Sequence, residues 1–203
     1  ESAEGRIKIF KLKQPKTVVR PALTQGYRPM SYRGGKIIAP APDPGNLNSW
    51  ELGDLVQEQG FTTDAKGQQT LSFELPAGPY RVMLETNDRF GKPVTAQLPL
   101  RVFDPKADKF AIKLPNVVAS PKWSLEPGQE FTAIWGSGYD KAQAFVEVEH
   151  RRKVLQSYWT KRGVTQAEIK QAVTEAQRGG FTLRVTMIRE NRAYMTTQQV
   201  SVP

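Results

Sequence analysis

From Val94 to Val102 the chain reads VTAQLPLRV, setting Val94, Ala96, Leu98, Leu100 and Val102 in strict alternation with Thr95, Gln97, Pro99 and Arg101. An extended strand turns that spelling into one apolar side, because successive side chains point to opposite faces. A helix, with its 3.6-residue repeat, would scatter the same residues around its circumference. Pro99 falls on the polar phase and has no N–H to give a ladder, which marks the strand as an edge.

The same device recurs along the chain. PYRVMLETND aligns Tyr80, Val82 and Leu84, and Asp88 to Gly91 then turns it into the Val94 strand as a hairpin. FTLRVTMI aligns Phe181, Leu183, Val185 and Met187 before Arg189 to Arg192 turns into AYMTTQQVSV. In GRIKIFKL the apolar phase jumps from Ile7 and Ile9 to Phe10 and Leu12, as a bulge or a strand passing between two sheets would require. Two segments carry helix signals: NSWELGDLV, with Asn48 and Glu51 three residues on, and TQAEIKQAVTEAQ, with Thr165 and Glu168 three on. The second fits a strand equally well, with Ile169, Gln171 and Val173 in phase and a turn at Thr174 to Gly180.

Regularly spaced strands broken by PAGPY, DRFGK, EPGQE and RGG predict an all-β chain: two consecutive fibronectin-III/immunoglobulin-like antiparallel β-sandwich domains. The least patterned connection is FDPKADKF, which sets expected domains at 1–107 and 108–203. Full burial of a valine, leucine or phenylalanine contributes about 1.5 to 3 kcal/mol, so each domain needs many inward residues to offset chain entropy. On this phase Leu98 is a core residue, and Leu98→Ala is expected to cost roughly 2 to 5 kcal/mol.

Charge narrows the function classes. The net charge of +9 is shared: residues 1–107 hold 15 basic and 11 acidic side chains, residues 108–203 hold 14 and 9, so the halves carry +4 and +5. The most biased stretch, residues 1–36, interleaves its basic residues with Ile7, Ile9, Phe10 and Leu12. That is the pattern of a strand with one solvated face, and with no recognition motif it argues against nucleic acid as a partner. No run approaches the ~20 apolar residues of a membrane helix, so no membrane contact is expected of this segment. The absence of cysteine removes disulfides, thiolate nucleophiles and cysteine zinc sites.

VEVEHRRKVLQSYW holds the one histidine, His150, beside Arg151, Arg152 and Lys153. Ala144, Val146 and Val148 alternate with Glu147 and Glu149 before it, and VLQSYW resumes the pattern after it, so His150 to Lys153 reads as a hairpin connection. No nucleophile-elbow motif or second histidine supports catalysis or a multi-histidine metal site. Asp43, Asn46, Asn48 and Glu51 offer oxygen ligands, but their spacing departs from a calcium loop. YRGGK (Tyr32 to Lys36) and QRGGF (Gln177 to Phe181) lack the ending of a phosphate loop and read as turns. Trp50, Trp123, Trp135 and Trp159 are either core anchors or, if exposed and adjacent, a sugar-stacking surface. No catalytic, cofactor-binding or metal residue is therefore assigned, and neither an enzyme activity nor a cofactor is expected.

Taken in order, several segments resemble two adjacent macroglobulin-type β-sandwich modules of bacterial alpha-2-macroglobulin-like proteins. They are GRIKIFKLKQP, with its KL-x-x-P run; FTTDAKGQQTLSFELPAGPYRVMLETNDRFGKPV, with TD-x-x-G and L-x-x-G-x-Y; WSLEPGQEFTAIWGSGYDKAQAFVEVEHRRKVLQSYW, with an E-H-R-x-K hairpin; and TEAQRGGFTLRVTMIRENRAYMTTQQVSVP. The resemblance implies a fragment of a large exported protease trap of the bacterial periplasm or cell envelope. In that family a bait segment is cut, the modules rearrange, and a thioester from a Cys-Gly-Glu-Gln motif can tether the protease. With no cysteine this chain has no such thioester, and no family functional residue carries onto a numbered position. The implied role is a scaffold whose partners are neighbouring modules of the same longer chain and, through the full-length protein, proteases. The alternative is a free-standing adhesin or carbohydrate-binding β-sandwich module, which needs an exposed aromatic patch.

Overall fold

The computed structural model describes residues 2–21, 31–33, 36–38 and 43–203, and among them the regular elements are strands and two single-turn 3-10 segments. The chain is all-β. It divides into two units, Glu1–Phe103 and Asp104–Pro203. Gln166 draws the connection into the second unit by donating its side-chain amide to the carbonyls of Asp104 (2.6 Å) and Ala107 (3.0 Å). The division thus falls four residues ahead of the expected one.

The first unit contains β1 (Glu4–Leu12), a short hairpin of β2 (Ser31–Arg33) and β3 (Lys36–Ile38), then β4 (Leu52–Thr62), β5 (Gly78–Asn87) and β6 (Pro93–Val102). An antiparallel sheet runs in the order β4-β1-β5-β6, with Pro99 on an edge strand as its missing donor requires. Leu98 faces Val82, which faces Ile9; Ala96 faces Leu84, which faces Ile7. The alternation therefore collects these six side chains on one face, with Phe10 and Leu12 on the other.

At the phase jump in β1 the ladder to β4 carries the bulge that was one of the two expected explanations, and it lies in the partner strand. β1 stays in unbroken register with β5 from Gly5 to Lys11. The extra residues belong to β4, where Ile9 faces Gln57, Phe10 faces Leu55 and Leu12 faces Leu52. β1 serves apolar contacts on both faces, and β4 bulges to follow it. Behind the sheet, Leu47–Ser49 forms one 3-10 turn in place of the possible helix at Asn48, capped by Asn46, whose Oδ1 accepts from the Asn48 N–H at 3.0 Å. Leu47 and Trp50 are buried there, and their carbonyls each accept from Nη2 of buried Arg81 at 2.8 Å.

In the second unit, β7 (Val117–Ala119), β8 (Glu130–Gly136) and β11 (Gln166–Ala172) form one sheet in the order β11-β8-β7. β9 (Ala144–His150), β10 (Lys153–Trp159), β12 (Phe181–Arg189) and β13 (Arg192–Val200) form the other in the order β10-β9-β12-β13. The two sheets close on each other as a fibronectin-III-like sandwich. Phe131, Ala133, Trp135 and Ile169 from one meet Val146, Val148, Phe181, Leu183, Val185 and Met187 from the other, all at 1% exposure or less. Phe131 and Phe181 touch edge to face, with centroids 5.5 Å apart at 81°.

The segment from Thr165 to Gln177 is strand followed by a 3-10 turn (Glu175–Gln177), not helix. Ala167, Ile169 and Gln171 sit opposite Trp135, Ala133 and Phe131, so pairing with β8 places Ile169 in the core and overrides helix propensity. The turn is fastened at Thr174, whose N–H and hydroxyl both donate to Gln177 Oε1 at 2.7 Å.

Candidate functional site

His150 and its basic neighbours occupy a two-residue hairpin. Arg151 (φ 47°) and Arg152 (φ 66°) both adopt left-handed backbone, and His150 pairs with Lys153 across the turn. This is the mirror-image turn that matches strand twist, a conformation that Asn and Gly adopt more readily than Arg. The His150 Nδ1 lies 2.7 Å from the Gly180 carbonyl, and Arg151 donates to the Arg178 carbonyl at 3.3 Å. The hairpin thus docks on the QRGGF turn. Gly180 is required there: at φ 92°, a Cβ would stand 2.3 Å from the Val200 carbonyl oxygen. Beside it Glu149 accepts from Arg184 at 2.6 Å. These groups join turn to strand.

The other sequence candidates also serve the backbone. Asp43 Oδ1 accepts from the Gly45 N–H at 2.8 Å, Asn46 caps its turn, and Glu51 faces Lys13 at 3.4 Å. Gly34 and Gly35 of YRGGK lie outside the described residues. Trp50 and Trp135 are buried, Trp123 is half-buried with its ring 5.7 Å from Phe131, and Trp159 is exposed.

The surface that stands out belongs to the first unit. On the apolar face of its sheet, Ile9 and Tyr80 are buried, but Leu98 is 61% and Val94 44% exposed. The expectation that Leu98 is a core residue is overturned: its phase is that of the apolar face, yet no described residue buries it. The segment QTLSFEL (Gln69 to Leu75) adds a second unfinished element. It alternates half-buried Leu71, Phe73 and Leu75 with exposed Thr70, Ser72 and Glu74, as a strand does, but joins no ladder among the described residues.

Local chemistry brings this segment to its place. Asp64 Oδ1 accepts from the N–H groups of Lys66 (2.8 Å) and Gln68 (2.9 Å), and Gly67 supplies a φ of 76°. Asp88 builds the same turn with Phe90, Lys92 and Gly91. After Gly91 the chain pairs back as β6; after Gly67 it joins no ladder among the described residues. At the far end Tyr80 donates its hydroxyl to the Pro76 carbonyl at 2.8 Å, the tyrosine corner of Greek-key sandwiches, written here by L-x-x-G-x-Y. In the sequence the alternation of β6 was readable and L-x-x-G-x-Y entered only through the family resemblance; neither the strand pattern of Gln69–Leu75 nor the exposure of Leu98 was singled out.

Comparison with protein-family models finds no match, and no curated protein matches. Among solved structures the chain is similar to the fibronectin(III)-like modules of Clostridium thermocellum CbhA, at 11% identity and a TM-score of 0.27 over 97% of this chain and 78% of that one.

Proposed function

We propose that the chain is a pair of adjacent non-catalytic scaffold modules of a larger, exported alpha-2-macroglobulin-like protease trap. The observation that carries this reading is the exposed face of the first unit: Val94 and Leu98 lie in solvent, and the strand-patterned backbone at Gln69–Leu75 has no ladder partner among the described residues. Unpaired strand backbone and a bare apolar face are completed by polypeptide packed alongside. Neighbouring modules of the same longer protein fit that need, and the ordered macroglobulin-like motifs name the kind of protein that supplies them. In this role the second unit is a closed, rigid sandwich and the first a docking platform. Together they hold shape and pass on movement when a protease cuts elsewhere in the parent.

The test is the size and location of the native protein, read with an antibody against this chain on fractionated source cells. A band several times larger than 22.8 kDa in the envelope fraction is expected. A band near 22.8 kDa overturns the reading and leaves an independent module.

A further inference from the structure

We propose that the second unit carries a binding site for an acidic sugar, a pyranose bearing a carboxylate or a sulfate. An open cleft of about 580 Å³ is lined by the residues that enter β9, leave β10 and close the β12–β13 turn. Its apolar part is Trp159, 58% exposed, with Ile188, 68% exposed. The indole is steadied from one side by Phe145, with ring centroids 5.1 Å apart at 47°. A fixed, solvent-facing indole is a platform for the C–H face of a sugar ring.

The charge around that platform is one-sided. Lys109, Lys141, Arg162 and Arg189 line the cleft against a single carboxylate, Asp140, which lies 3.5 Å from Lys113 Nζ. Lys109 already donates to the Gly163 carbonyl at 2.8 Å and contributes mainly its charge. Lys141, Arg162 and Arg189 form no ion pair among the described residues. The Arg189 guanidinium lies over the Tyr139 ring at 5.6 Å, and its buried Nε has no hydrogen-bond partner. Cations held beside a low-dielectric wall without counter-charge attract an anionic group.

An acidic sugar fits this chemistry better than the other anions that carry rings or chains. Reading a nucleobase edge needs a free planar donor–acceptor pair. The one side-chain amide in the cleft, Gln143, already donates to the Thr160 carbonyl at 2.7 Å. An acidic peptide adding to the edge of β10 would meet Gln156, which reaches across to the Lys170 carbonyl (2.7 Å) and to Gln171 (3.1 Å) on β11. A sugar needs neither: it stacks on Trp159 and directs its acid group to Lys141, Arg162 and Arg189. The site lies within the second unit and stands apart from the protease-trap reading.

The experiment is a titration of the full chain with a heparin-derived hexasaccharide and with a galacturonate hexamer, read by tryptophan fluorescence and by amide chemical shifts. Binding of either acid hexamer, with a change in Trp159 emission, is expected; which one binds distinguishes sulfate from carboxylate. Trp159→Ala and Arg162→Gln should each weaken it about tenfold or more, whereas Trp159→Phe should keep most of it. Because both positions are exposed, these variants retain the fold, which the amide spectrum verifies. Equal binding of a neutral glucose hexamer, of polyglutamate or of ATP overturns the proposal, as does unchanged binding by Trp159→Ala or no binding at about 1 mM ligand. None of these results bears on the size of the native protein, so the two readings fail separately.

Discussion

The two units use the same strand grammar and end in different states. In the second, Val146, Val185 and Met187 sit at 0% exposure because a second sheet brings Phe131, Trp135 and Ile169 against them. In the first, Ile9, Val82 and Leu98 are aligned by an equally regular ladder, yet Leu98 is left 61% exposed. Alternation decides which side of a strand is apolar; a second layer decides whether that side is buried. The difference between the covered core of the second unit and the exposed Leu98 of the first therefore lies in what packs on the strands, not in the strands themselves.

The largest effect should come from breaking the closed unit. Phe131 is fully buried and touches Phe181 across the sandwich, so Phe131→Ala should cost about 3 to 5 kcal/mol. Urea unfolding followed by fluorescence reports on each unit in turn, since Trp50 belongs to the first and Trp123, Trp135 and Trp159 to the second. The loss should appear in the second unit alone. A matched loss in the first would mean that the two unfold as one body, and the contrast drawn between them would fail.

Next in size is Arg81, a buried polar anchor of the first unit. It is 7% exposed and donates to two carbonyls of the Leu47–Trp50 turn, so Arg81→Ala should cost about 2 to 3 kcal/mol by leaving acceptors buried and unmatched. This should lower the first transition without moving the second. A change below about 0.5 kcal/mol would mean that water replaces the guanidinium and that the back of the sheet is as open as its front.

The turns separate the units in the opposite sense. In the first unit the left-handed positions of the Asp64 and Asp88 turns are glycines, Gly67 and Gly91. In the second, the hairpins place Arg151, Arg152, Glu190 and Asn191 there. A left-handed non-glycine residue costs about 1 to 2 kcal/mol, partly offset by the larger unfolded entropy of glycine. Arg152→Gly should therefore stabilise the second unit by about 0.5 to 1 kcal/mol, visible as a later urea midpoint. A loss of stability would show that the Arg152 side chain holds something that the turn geometry does not require.

Much of the fold was legible because strand phase is local. The inward sets of β9 and β12, the hairpin at His150 and the edge role of Pro99 follow from spacing and from what proline lacks. Which strand bulges was not legible, since the jump in apolar phase is written in β1 while the extra residues lie in β4. Thr165 to Gln177 was ambiguous because its helix signals are local, whereas the β8 pairing that decides against them is not. The Trp159 cleft was hidden for the same reason: Lys141, Arg162 and Arg189 are far apart in sequence and meet through the ladders β10-β9-β12. The four tryptophans could be named, but not which one would face solvent.

The smallest expected effect is the most telling. With 61% of its surface in water, Leu98 in the free chain has less than half of a leucine's burial to lose, and Leu98→Ala should cost less than about 1 kcal/mol. Within the full-length parent, where a neighbour is proposed to cover the face, the same change should cost the roughly 2 to 5 kcal/mol of a core leucine, measured as a drop in the unfolding midpoint of that region. A small cost in both settings would mean that nothing sits on the β6 side of the sheet, and the docking role would have to move to the Gln69–Leu75 segment alone. A large cost in the free chain would mean that its own residues already close over Leu98, and the first unit would then be a finished sandwich like the second. Only the pair of values, small alone and large in the parent, matches a face built to be covered by something else.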